Sequence, residues 1–235
     1  MQRVRTPELI DRLDAAPARI GESLGDLAWL NRYWGGTATV LHQFDRLLVG
    51  EPARTLRVLD VGAGGGDILL AVDGWLRRRG GRLSGIALDA GAAAARHAAD
   101  AFKAAGVKGR VLVVRGDALA LPFGDRSFDV AYSSTFLHHL DVAGAVTVLR
   151  EMVRVSALGI VVSDLRRCVA GYLAARALAG TVWRRHLYSR HDGPVSMRAA
   201  FTTSEVEGLA ERAGIRSLIE PQPFFRWALC WRRAG

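Results

Sequence analysis

Between residues 56 and 164 the hydrophobic pattern alternates between the period of a strand and the period of a helix, and this limits the fold more than any other feature. Strand-like runs occupy 56–61, 83–88, 110–115, 128–133 and 159–163, with helical stretches from Asp67, Ala92 and Ala143 between most of them. Such alternation predicts βαβ units and a parallel sheet whose ligand crevice lies at the carboxyl ends of the strands. A helix over 204–213 and strands over 215–220 and 224–232 continue it. The expected fold class is therefore α/β, a doubly wound, Rossmann-like, seven-stranded and mostly parallel sheet.

Two segments depart from the alternation. Residues 7–49 are helical and amphipathic, broken at Pro17 and at Gly35-Gly36, and read as an N-terminal helical lid over residues 1–50 ahead of a main domain over 51–235. After Asp164, an Ala-rich helix over 168–182 and a polar loop over 184–194 form an insertion within about 165–200.

The strand over 56–61 runs into Asp60-Val61-Gly62-Ala63-Gly64-Gly65-Gly66-Asp67 and then a helix. Glycines at 62, 64 and 66 permit positive φ and remove Cβ atoms that would keep a ligand from the backbone. A dinucleotide fingerprint requires Gly or Ala at 67, where Asp67 would set its charge against a pyrophosphate. Asp60 would likewise repel phosphates, but it suits a ligand carrying an ammonium and a sulfonium, and S-adenosylmethionine is such a ligand. Asp89 ends the second strand at the spacing where an acid accepts both hydroxyls of a ribose. Asp117 ends the third, where it can accept the adenine amino proton while the Ala118 amide meets a ring nitrogen. Either acid alone would also suit a turn or helix cap.

With these residues, and with Leu121-Pro122-Phe123, Ser127-Phe128-Asp129-Val130 and Leu137-His138-His139-Leu140, the chain resembles the class I S-adenosylmethionine-dependent methyltransferases of small molecules, the group that includes the ubiquinone and menaquinone biosynthesis enzymes. The resemblance runs from about 56 to 163. It implies that Asp60, Gly62, Ala63 and Gly64 hold the methionine end, that Asp89 with Ala90 and Asp117 with Ala118 hold ribose and adenine, and that Ser133, Ser134 and His138 line the methyl-transfer side. It implies S-adenosyl-L-methionine as cofactor, S-adenosyl-L-homocysteine as product and no metal.

A sulfonium methyl is already electrophilic, so the protein has to align a nucleophile and exclude water. A hydroxyl acceptor must also lose a proton, for which His139 and His191 are the candidate bases, His191 with Asp192 beside it in the insertion that covers the acceptor in related enzymes. Asn31-Arg32-Tyr33-Trp34-Gly35-Gly36 reads as a lid, with Arg32 paired to the methionine carboxylate and Tyr33 and Trp34 on the acceptor side. Val169, Leu173, Leu178 and Val182, with Tyr172 among them, would form an apolar wall. The expected reaction is O-methylation of a small hydrophobic or aromatic acceptor, with N- or C-methylation, RNA methylation and a non-catalytic binding protein as alternatives.

Composition bears on those alternatives. The formal charge of +9 favours a polyanion, but every basic residue except Lys103 and Lys108 is arginine in an Ala- and Gly-rich chain, which a GC-rich coding bias explains. Base N-methylation commonly uses an Asn/Asp-Pro-Pro-Tyr/Phe clamp where this chain has Ser133-Ser134-Thr135-Phe136, and neither Cys168 nor Cys230 is placed as a C5-methylation nucleophile. No nucleic acid partner is therefore expected. Two cysteines without metal or disulfide spacing, and no long apolar run, give a cytoplasmic expectation with no membrane span, as monomer or homodimer.

Overall fold

The strands of the computed structural model are β1 (Thr55–Val61), β2 (Arg82–Asp89), β3 (Val111–Arg115), β4 (Phe128–Ser134), β5 (Ser156–Leu165), β6 (Ile219–Gln222) and β7 (Arg226–Arg232). They form one sheet in the order β3-β2-β1-β4-β5-β7-β6. The first five are parallel, and β7 is antiparallel to both β5 and β6. The order reverses between β1 and β4, so the crevice at the switch point opens beside the glycine turn. Residues 1–12, 15–52, 54–217 and 219–234 are described.

The helices are α1 (Pro17–Tyr33), α2 (Gly36–Leu47), α3 (Asp67–Arg78), α4 (Ala92–Ala104), α5 (Val142–Val155), α6 (Val169–Gly180), α7 (Leu187–Ala199) and α8 (Thr203–Arg212). Parallel strands covered on both faces send alternate side chains into two cores. Leu59, Val61, Ala131, Ile160 and Val162 pack with residues of α5 and α8. Val58, Tyr132 and Val161 pack with residues of α2, α3 and α4. Phe44 on α2 is fully buried, edge-on to Trp75 at 5.9 Å and to Tyr132 at 5.6 Å, so α2 is part of the layer covering the sheet.

Two elements depart most from the sequence reading. The polar stretch expected as a loop over 184–194 lies largely within α7, which carries Pro194 in its interior. Tertiary contacts override the local breaker there: α7 packs along α6, and the carboxylate of Asp192 accepts the backbone amides of Leu9 and Ile10 at 2.8 and 3.2 Å. The sixth strand begins at Ile219 instead of 215, with Leu218 outside the described residues. The expected break at Gly35-Gly36 is a tight turn between α1 and α2: Gly35 adopts φ +80°, and a Cβ on Gly36 would lie 2.3 Å from Asn31 Oδ1.

Candidate active site

The glycine turn between β1 and α3 is left-handed at Gly62, Gly64 and Gly66, with φ of 73°, 52° and 76°. Its close approaches are made by the protein: a Cβ on Gly62 would meet Phe136 at 2.5 Å, and one on Gly66 would meet Phe102 at 2.4 Å. The amides of Gly62 and Ala63 donate to Leu88 O at 2.9 and 3.0 Å, pinning the turn to β2. Asp89 extends that clasp by accepting Gly64 N and Gly91 N, both at 2.8 Å, beside the exposed Ala90. Each carboxylate oxygen retains a lone-pair site, so Asp89 can still accept two hydroxyls. Asp117 is exposed and accepts Leu119 N at 2.8 Å, with Ala118 buried next to it.

Asp60 is buried and accepts a hydrogen bond from the Tyr132 hydroxyl at 2.5 Å. Burial, with Asp67 and Asp89 nearby, pushes its pKa up to about 8. At the end of β4, Ser133 donates to Val61 O at 2.7 Å, whereas the buried Ser134 hydroxyl oxygen has no hydrogen-bond partner among the described residues. A buried carboxyl short of a counter-charge and an orphaned hydroxyl beside a left-handed glycine turn fit a cationic nucleoside ligand such as S-adenosylmethionine.

Next to this turn, the carboxyl end of the sheet carries a charged cluster. His138 is buried, its Nδ1 2.7 Å from Asp164 Oδ1 and its Nε2 3.4 Å from Glu8 Oε1. Burial opposes its charge, yet Asp164 and Glu8 hold its pKa up at about 10. Burial would raise Glu8, but the charges of His139 and His138 and the Ser196 hydroxyl, which donates to it at 2.6 Å, hold it down at about 2. His139 pairs through Nδ1 with Asp11 at 2.6 Å and stacks on Phe136; its pKa is raised, because Glu8 and Asp11 outweigh burial and the neighbouring His138. Glu8, His138 and His139 offer atoms close enough together to hold a cation, but the two imidazoles are already engaged by Asp164, Glu8 and Asp11.

Glu8, His138, His139 and Ser196 line one side of a cavity of about 170 Å³. Thr135, after β4, and Phe224, Phe225 and Arg226, at the β6–β7 tip, bound it as well. Its α6 wall is Gly171, Ala174, Ala175 and Leu178, which corrects the expected stripe: Val169, Leu173 and Val182 are more than half exposed. The small residues face inward because α7 crosses closely there, and a Cβ on Gly171 would lie 2.3 Å from Met197 Cε.

Of the acceptor-side expectations, His139, Trp34 and Asp192 line the cavity, as does His138. His191 does not: it is exposed, with Nδ1 2.7 Å from Asp192 Oδ1, because α7 turns it outward. Tyr33 and Arg32 are exposed on α1, with the Arg32 guanidinium 5.4 Å from the Tyr33 ring, and Tyr172 accepts a long 3.5 Å bond from Arg176. The sequence reading placed Asn31 in the lid segment but gave it no role, and it missed Glu8, Asp164 and Arg226. Asp164 carried a usable signal as a further acid at a strand end, and Arg226 as a charge opening the apolar run Trp227-Ala228-Leu229-Cys230. Glu8 carried none.

Comparison with known proteins agrees with this fold. Residues 58–159 match the family of methyltransferase domains. A demethylmenaquinone methyltransferase of Roseiflexus castenholzii is 36% identical over 131 residues, covering 55% of this chain and 47% of that protein. The chain spans about half the length of the curated relatives it matches. Among solved structures, an S-adenosylmethionine-dependent methyltransferase of Aquifex aeolicus superposes with a TM-score of 0.64 at 19% identity, covering 93% of this chain and 99% of the other. An O-methyltransferase from neocarzinostatin biosynthesis, in complex with S-adenosylmethionine and 2-hydroxy-5-methyl naphthoic acid, superposes with a TM-score of 0.63 at 23% identity, covering 92% and 58%. Residues 58–159 thus match the methyltransferase-domain family, inside a fold that the whole chain shares with S-adenosylmethionine-dependent methyltransferases of known structure.

Proposed function

We propose that the protein transfers a methyl group from S-adenosylmethionine to an oxygen of a small aromatic acceptor held in the cavity beside β4. The observation that carries the reading is the adjacency of two unlike environments: a glycine turn with Asp60 leading into it and Asp89 clasping it, and an apolar cavity with a paired histidine in its wall. The cofactor, when bound, supplies an activated methyl on a sulfonium. Asp60 neutralises the charge at the methionine end, and Asp89 and Asp117 take the ribose hydroxyls and the adenine amino group. Trp34, Phe224 and Phe225 exclude water from the acceptor side. His139, oriented through Nδ1 by Asp11, takes the acceptor's hydroxyl proton on Nε2. The hydroxynaphthoic acid bound to the neocarzinostatin neighbour, an O-methyltransferase, is of this chemical class, and the Roseiflexus name points to a related bicyclic ring.

The test is transfer of labelled methyl from S-adenosylmethionine to a panel of naphthols and hydroquinones. Product bearing an O-methyl group is expected, and His139→Ala should lower kcat about 10²–10⁴-fold, the usual contribution of a positioned general base. Because His139 is shifted upward, the acid limb of the wild-type profile should lie above pH 6.5 and disappear in the variant. Methylation confined to nitrogen or carbon acceptors, or an unchanged profile in His139→Ala, would contradict the reading.

A further inference from the structure

Arg226 is buried and lines the cavity, yet among the described residues no carboxylate forms an ion pair with it. Its Nη1 donates to Thr135 Oγ1 at 3.1 Å and its Nη2 to Asn31 Oδ1 at 3.2 Å, both uncharged oxygens. The acids near enough to act on it are Asp164 and Asp67, and both are engaged elsewhere: Asp164 with His138, and Asp67 with Asn31 Nδ2 at 3.0 Å. A guanidinium has five N–H donors, and one sunk in an apolar cavity without direct counter-charge is costly to keep.

The backbone around it is strained as well. Thr135, Phe224 and Phe225 have φ of 56°, 56° and 58°, a region that β-branched and aromatic residues rarely enter. They are three of the four non-glycine residues with positive φ among those described, and they flank this one guanidinium by hydrogen bond or by chain neighbourhood. Strain of this kind persists where the surroundings hold a functional group in position. We propose that Arg226 forms an anion subsite taking a carboxylate, carried by the aromatic acceptor or by the methionine part of the cofactor. The fork of the guanidinium matches a carboxylate in two parallel hydrogen bonds. The proposal rests on the methyltransferase reading for the source of its ligands.

Calorimetry with two matched pairs tests it: 1-hydroxy-2-naphthoic acid against its methyl ester, and S-adenosylhomocysteine against its decarboxylated analogue. In one pair the acid should bind at least about tenfold more tightly, as expected for a charge-assisted bond, and that pair identifies the source. Arg226→Lys keeps the buried charge for folding but loses the fork, and should cut the preference at least threefold. Equal binding within both pairs, or a preference unchanged in Arg226→Lys, overturns the proposal. S-adenosylhomocysteine that binds without acid preference in either pair overturns this subsite alone. Its failure to bind at all overturns the methyltransferase reading, while the naphthoate pair still reads Arg226 independently.

Discussion

At the level of single residues, Asp60 shows function opposing stability. Its carboxyl is buried in the folded chain, and its pKa lies near 8 instead of the ordinary 3.8. A carboxyl raised in this way contributes stability below its unfolded value and loses it as pH rises through about 8. Asp60→Asn keeps an oxygen for the Tyr132 hydroxyl and removes the buried charge, so its melting midpoint at pH 8 should exceed that of the wild type by several degrees, each kcal/mol being worth roughly 2–4 °C in a chain of this size. The same substitution should weaken cofactor binding. In the wild type that binding should strengthen as pH rises toward 8, since the ligand's cationic end selects the ionised acid, and it should be flat in Asp60→Asn. Calorimetry across pH 6 to 9 measures both, and a wild-type affinity independent of pH would remove Asp60 from the site.

At the level of elements, the β6–β7 tip spends backbone energy to close the cavity. Phe224 is left-handed and half exposed, with its ring 5.7 Å from Trp34. Phe224→Gly relieves a conformation that costs about 1–2 kcal/mol for a residue with a Cβ, and should leave the melting midpoint equal or higher while weakening binding of a naphthol acceptor. A lower midpoint with unchanged acceptor binding would make the tip purely structural. The elements also show where sequence reasoning reaches. β1 to β5 and the glycine turn were legible because period-two runs and positive-φ glycines are local signals. The apolar stripe on α6 was legible as a stripe, but which face turned inward depended on Gly171 meeting Met197 on α7, a contact between distant segments. His191 was misassigned for the same reason: the stretch around Pro194 reads as loop until Asp192 is tied to Leu9 and Ile10.

At the level of the whole molecule, the Glu8–His138–Asp164 cluster joins the N-terminal segment to β5, and Ser196 extends it to α7. Glu8 is depressed to about 2 from 4.5, so its contribution is complete above pH 4.5 and lost as pH falls through 2. His138 is raised to about 10 from 6.5, so its contribution is complete below pH 6.5 and lost as pH rises through 10. His138→Ala strands two buried carboxylates at about 3–5 kcal/mol, and thermal melts at pH 6 should show a midpoint lower by about 10 °C, the deficit shrinking above pH 10. A deficit independent of pH would reduce His138 to a packing residue.

The account depends on recognition of a cationic nucleoside by the β1, β2 and β3 strand ends, and titration of the purified chain with S-adenosylmethionine tests it most directly. It predicts saturable heat at one site per chain, diminished in Asp60→Asn and in Asp117→Ala. Heat that never saturates with ligand in millimolar excess, from a chain whose circular dichroism shows it folded, would contradict it.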